Sequence, residues 1–244
     1  MMYLVYMGML IIALIASKVI FKPSIKRLRA LEDNKEVEEL VNKFPEDLQM
    51  AGEILDMIEK EKGEENFKRP KVEQVEDTKT SLYIAVTNKI LIVNMKNNYA
   101  RIQTIAHECI HSAQNKGLIF FNFIISNINI LFFLIAGVLT LFRVIEINMP
   151  ILAVFSVTVF TQFIVRIHLE VDAMKKARVL AEEYIKSKDL ELSEEDVEKI
   201  LESYDEINEE GIPFIIDNYF VLAVGTLLIY LGAGLRTIIE QSFF

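Results

Sequence analysis

Cysteine occurs once, at Cys109, so the chain can form no intramolecular disulfide and no cysteine-based structural zinc knuckle. Histidine is nearly as scarce, with His107, His111 and His168 as the whole supply. Positive charge is short as well: 26 Lys and Arg against 35 Asp and Glu leave a formal net charge of -9. That balance argues against nucleic acid as a partner. Internal repeats and low-complexity tracts are absent, and no basic segment precedes the first apolar block, as it would in a cleaved signal peptide. This block is therefore expected to be a retained anchor.

Long apolar runs, by contrast, are plentiful. The 244 residues are 52% hydrophobic yet 25% charged, a mixture that implies apolar blocks alternating with charged ones. Four blocks, Met2 to Phe21, Leu118 to Phe142, Met149 to Ile167 and Pro213 to Leu235, are long enough to cross a bilayer. Roughly 20 helical residues span the ~30 Å hydrocarbon core. A soluble core would need a far longer chain to surround four such helices, so the expected class is a mainly α integral membrane protein.

Lysines and arginines of short loops favour the cytoplasm. Lys22, Lys26, Arg27 and Arg29 follow the first block, and Lys175, Lys176 and Arg178 follow the third. The expected arrangement is a multi-pass protein of the cell membrane with both termini outside. External segments would be a tight turn around Arg143 and a tail containing Arg236. Segment 22–117 carries 16 basic and 17 acidic residues, whereas 169–212 carries 6 and 15, so the acidity belongs to the second cytoplasmic segment.

Within the first cytoplasmic segment, Val37, Leu40, Val41 and Phe44 form one helical stripe. Leu48, Ala51, Ile54, Leu55 and Ile58 form another after Pro45. Two β-rich runs, Leu82 to Val86 and Ile90 to Val93, are separated by Thr87, Asn88 and Lys89, which predicts a small β-hairpin. A helix is expected from about Asn98 to Gln114. After the third span, Ala173, Ala177, Leu180 and Tyr184 continue a helical period, so that span should extend into the cytoplasm. Ser193 and Asp196 form a capping box for a further helix, with Gly211 and Pro213 as its expected stop.

Chemistry concentrates in T-I-A-H-E-C-I-H-S-A-Q, Thr104 to Gln114. On a helix His107 and His111 are one turn apart on the same face, which lets both imidazoles reach one zinc. Glu108 is rotated from them by about 100°. It stands beside the metal's open position, where a general base must be. Cys109 points away from both histidines and reads as a small buried residue. A mononuclear catalytic site needs a third protein ligand. The stretch I-H-L-E-V-D-A-M-K-K-A offers His168, Glu170 and Asp172, of which His168 and Asp172 share one helical face and Glu170 lies on the other. In the spans, Asn122, Asn127, Asn129, Gln162 and Asp217 are expected mainly to make interhelical hydrogen bonds, although an intramembrane carboxylate such as Asp217 is often functional. Lys18 can snorkel to the interface.

The order of elements resembles that of the membrane-bound neutral zinc metallopeptidases often called zinc peptidase family 2. Anchor, hairpin, H-E-C-I-H-S-A-Q helix, membrane hairpin, L-E-V-D-A-M-K-K-A helix and final span follow one another over nearly the whole chain. The resemblance implies His107, His111 and Glu170 as metal ligands and Glu108 as catalytic base. Ile110 replaces the family's usual glycine, and Met174 and Lys175 replace its usual serine and arginine. The implied division is 1–21 anchor, 22–117 cytoplasmic part, 118–167 membrane hairpin, 168–212 cytoplasmic helices, and 213–244 final span and tail. Segments 22–117 and 168–212 would join into one zincin-like α+β domain holding one zinc. The implied activity is hydrolysis of peptide or membrane-protein substrates at the cytoplasmic face of the lipid bilayer. A catalytically silent zinc-binding scaffold is the competing expectation, and a small transporter a third.

Overall fold

The computed structural model describes residues 2–22, 26–27, 34–63, 65–76, 80–95, 98–235 and 239. Arg29 and Arg236 of the charge pattern lie outside the described residues. In chain order the elements are α1 (Met2–Phe21), α2 (Lys35–Val41), α3 (Asp47–Lys62), β1 (Lys71–Val75), β2 (Leu82–Ile84), β3 (Lys89–Val93), α4 (Arg101–Ala113), α5 (Lys116–Leu141), α6 (Met149–Ser187) and α7 (Glu194–Ala233). Helix predominates. The chain divides into one unit of Met1–Pro23, Phe121–His168 and Pro213–Phe244, and a second of Ser24–Phe120 and Leu169–Ile212.

Among the described residues, α1, α5, α6 and α7 are long and apolar enough to cross a membrane. In the first unit their outer faces expose Ile12, Ile15, Leu131, Val157 and Ile229, an apolar surface suited to lipid rather than water. The inner faces meet around Leu10, Leu152, Phe155, Val224 and Tyr230. Phe155 stacks near Phe132 at 4.4 Å between ring centroids and meets Tyr230 edge-on at 5.5 Å. Polar contacts fasten α1: Tyr3 Oη donates to the Ile147 carbonyl at 3.0 Å, and Tyr6 shares a 2.8 Å hydrogen bond with Ser156.

Asp217 is buried but paired. Ser17 Oγ donates to its Oδ1 at 3.0 Å, and the Lys18 ammonium, rather than only reaching outward, bonds its Oδ2. A buried carboxylate without such partners would be costly. Asp217 thus joins α7 to α1.

The second unit packs α2 and α3, the sheet, α4 and the second-unit portions of α6 and α7 around one apolar core. Val37, Leu40, Val41 and Phe44 are all buried, as are Ala51, Ile54, Leu55 and Ile58. Leu48 departs from its expected stripe and is exposed, while Met50 takes an interior place. The sheet has three strands in the order β1-β3-β2, so the expected hairpin is only part of it. β2 pairs antiparallel with β3, and β1 pairs parallel with it. Ile90 and Ile92 of the central strand point inward on the two-residue period of a pleated strand. Asn88 turns the hairpin with φ +50°, and its Nδ2 donates to the Lys68 and Arg69 carbonyls at 3.2 and 3.1 Å. Asparagine tolerates that left-handed backbone better than most residues.

α7 begins with the expected capping box: Asp196 N–H donates to Ser193 Oγ at 3.1 Å, and Ser193 N–H to Asp196 Oδ2 at 2.9 Å. It does not stop at Gly211 and Pro213, which lie inside a helix continuing to Ala233. Proline deprives the helix of one backbone donor, a loss that long apolar helices absorb through neighbouring groups. Gly211 serves packing instead, since a Cβ there would lie 3.0 Å from Met174 Cε.

Candidate metal centre

α4 presents two faces. Ile102, Ile105, Ala106 and Cys109, at helical spacing, are fully enclosed in the core of the second unit. His107, His111 and Gln114 follow the opposite stripe, at intervals of four and three residues. The helix start is anchored by a buried ion pair, in which Arg101 Nε donates to Asp47 Oδ1 at 3.0 Å. Asp47 Oδ2 also accepts from the Met95 N–H at 2.8 Å. This arrangement fixes where the histidine face begins.

α6 brings the third group. Ala173, Ala177, Ala181 and Tyr184 form its buried stripe, and Glu170 extends that stripe by one turn. Small alanines permit close approach to the core. Glu170 Oε2 lies 3.4 Å from His107 Nε2 and 3.6 Å from His111 Nε2, and the two Nε2 atoms are 3.0 Å apart. Among the described residues these three form the group capable of holding a metal. Four ligands about 2.05 Å from a tetrahedral centre lie about 3.3 Å from one another. The observed separations bracket that value, so the donor atoms form one face of a zinc-sized tetrahedron.

His168 is exposed and lies outside this group, whereas Asp172 is engaged elsewhere. Gln114 Nε2 donates to Asp172 Oδ2 at 2.9 Å and to the Leu169 carbonyl at 2.8 Å. Both partners are acceptors, which fixes the amide orientation and turns Gln114 Oε1 toward His111 Nδ1 at 2.9 Å. His111 must then carry a proton on Nδ1. In the neutral ring, Nε2 is left with its lone pair facing Glu170 and His107.

Burial pulls the His111 pKa down, but the hydrogen bond and charge of Glu170, with help from Glu108 and Gln114, outweigh it and leave the value raised. Glu108 is buried beside the group without belonging to it. Burial raises its pKa most strongly, the Glu170 charge adds to this, and the charges of His107 and His111 oppose it. The backbone N–H of Tyr83 lies close enough to favour the charged form slightly. Thus an outer strand of the sheet touches the glutamate.

Cys109 is fully buried, 3.9 Å from the Ala51 carbonyl, and burial pushes its thiol well above the usual range. This environment suits packing, not nucleophilic chemistry. Ile110 is partly buried against the core. Met174 is buried against Gly211. Gln114 and the Tyr83 amide lie beside the expected site residues without being among them. Gln114 had a signal, its place on the histidine stripe; a backbone donor has none.

Comparison of the chain with models of known protein families, with curated proteins and with solved structures yields no match.

Proposed function

We propose that the protein is an integral-membrane zinc peptidase whose site faces the cytoplasm, similar to the membrane-bound neutral zinc metallopeptidases. The observation that carries this reading is the near-tetrahedral spacing of His107 Nε2, His111 Nε2 and Glu170 Oε2, at 3.0, 3.4 and 3.6 Å. A zinc ion held by those atoms would supply Lewis acidity toward a scissile carbonyl and the attacking water. The charge pattern around α1 and α6 favours a cytoplasmic site.

Glu108 takes the proton of the attacking water and returns it to the leaving amine. Its burial raises its pKa and strengthens the carboxylate as a base. β2 is an outer strand beside that carboxylate. An extended, unfolded or membrane-proximal substrate segment docks along this edge through main-chain hydrogen bonds.

Glu108→Gln preserves shape and removes the proton acceptor. Comparing it with wild type on unfolded peptides, in detergent or bilayer with zinc supplied, is the decisive assay. Hydrolysis should fall by at least about 100-fold with metal content unchanged. Equal cleavage by both proteins would indicate a contaminant. Failure of both across many substrates would favour the silent scaffold.

A further inference from the structure

Within the second unit, the later part of α6 and the start of α7 border an open groove of about 630 Å³, apart from the residues of the candidate metal centre. Its deeper lining is apolar: Leu201 is buried, and Leu192 and Val197 are half-buried against the core. Its rim is charged. Glu194, Glu198, Glu202 and Asp205 stand exposed on α7, against Arg178 and Lys186 on α6.

Both cations of the rim are already engaged. Arg178 donates to the two Asp205 oxygens at 2.8 Å each and to Glu182 at 2.7 Å, and Lys186 pairs with Glu182 as well. Lys199, on the same helix as the glutamates, is taken by Glu36 and Glu195 at 2.7 and 3.3 Å. Among the described residues Glu194, Glu198 and Glu202 therefore meet no cation. They recur every four residues, and like charges at that spacing repel one another. The helix dipole favours Glu194 in the first turn of α7, but its effect does not extend to Glu198 and Glu202. An apolar groove is thus edged by a row of negative charge that the chain leaves uncompensated.

We propose that this groove docks an extended, Lys- and Arg-rich segment of the polypeptide substrate, of the kind that flanks a membrane span on its cytoplasmic side. The inference rests on the peptidase reading above. Four residues of α7 advance about 6 Å, and alternate residues of an extended chain are about 6.6 Å apart. Cations at alternate positions of the segment therefore meet Glu194, Glu198 and Glu202 nearly in register. Their aliphatic stems lie along Leu192 and Val197 while the charged ends reach the rim. Arg178 follows Glu170 by about two turns of α6, or about 12 Å along the axis. The docked stretch is accordingly held beside the metal centre, and cleavage falls outside the basic run.

The test is fluorescence anisotropy at low salt with the full-length Glu108→Gln protein in detergent, which binds without hydrolysing. The probes are a labelled peptide of alternating lysine and serine and its counterpart with glutamine for lysine. The lysine peptide should bind about tenfold more tightly, as three exposed ion pairs together would give. E194Q/E198Q/E202Q in the same background should lose about that factor, whereas E39Q/E61Q/E65Q, which removes as much charge from exposed positions outside the groove, should lose about twofold or less. Equal affinity for the two peptides, or equal loss in the two triple variants, would overturn the proposal. So would a wild-type dimer that E194Q/E198Q/E202Q splits, since a second copy would then be the occupant. Hydrolysis is read separately: with Glu108 restored, E194Q/E198Q/E202Q should raise KM for a lysine-flanked peptide about tenfold and leave kcat unchanged. Binding with no hydrolysis by wild type would overturn the peptidase reading and leave the groove's affinity for cationic segments intact. Hydrolysis with no preference for lysine-flanked peptides would do the reverse.

Discussion

The Gln114 amide donates to the Asp172 carboxylate at 2.9 Å, so the residue that orients His111 on α4 is itself held by α6. Both halves of the donor set are thereby tied to one hydrogen-bond chain. Groups that hold a ligating imidazole typically change metal affinity by about 10- to 100-fold when removed.

Gln114→Leu should lower zinc affinity by about that range while leaving the helical circular dichroism intact. Gln114→Glu keeps an acceptor for His111 but sets two carboxylates together, and should also weaken binding. The pair Q114E/D172N restores a donor opposite the new acceptor and should recover much of the loss. Zinc competition titrations measure all three proteins, and no recovery in the double variant would remove Gln114 from the positioning role.

The proposed ligands are distinguishable by metal content. Wild-type protein should carry about one zinc per chain, as a mononuclear site would, and His107→Ala or His111→Ala should abolish it. Glu170→Ala should lower retention far more than His168→Ala, because Glu170 Oε2 lies 3.4 and 3.6 Å from the imidazoles and His168 is exposed. Elemental analysis after gel filtration gives the order. The reverse order would show that α6 offers its other face.

The four apolar helices were legible because length and composition alone identify them. The H-E-x-x-H face was legible for the same kind of reason: helical spacing places His107 and His111 together whatever surrounds them. Glu170 was harder, since three candidate side chains lie within five residues, yet it falls one turn before the apolar stripe of Ala173 and Ala177. β1 was missed because Lys71, Glu73 and Gln74 give it little apolar alternation; its pairing comes from β3, and Glu73 is neutralised by Lys71 and Lys89 at 2.6 and 3.0 Å. Pro213 misled for the opposite reason. Its local tendency to end a helix is overridden in α7, which no single residue reveals.

Orientation in the membrane is testable apart from the chemistry. A reporter fused after Gly63 or after Lys188 should lie in the cytoplasm, and one inserted near Asn148 outside, because basic residues cluster after α1 and along the later part of α6. Paired alkaline phosphatase and fluorescent-protein fusions give opposite signals on the two sides. An external reporter after Gly63 would move the site to the other face.

The ion pair under α4 yields the last expectation. Asp47 and Arg101 are each less than 5% exposed, and Asp47 receives two donors, the Arg101 guanidinium and the Met95 N–H. Asp47→Ala would leave a buried charge and a buried amide without their acceptor, and breaking such a pair typically costs about 3–5 kcal/mol. Arg101→Ala leaves the carboxylate with the Met95 N–H still in place, so it should cost less. Replacing both, as D47L/R101M, deletes the charges together and should recover part of the loss, as buried pairs exchanged for apolar groups often do. Thermal unfolding in detergent should rank the proteins in that order, with Asp47→Ala melting about 10 °C below wild type. Zinc retention measured below each melting temperature should follow the same ranking, because α4 carries both the ion pair and the histidines. A destabilised Asp47→Ala protein that kept full zinc affinity would uncouple the helix anchor from the metal centre.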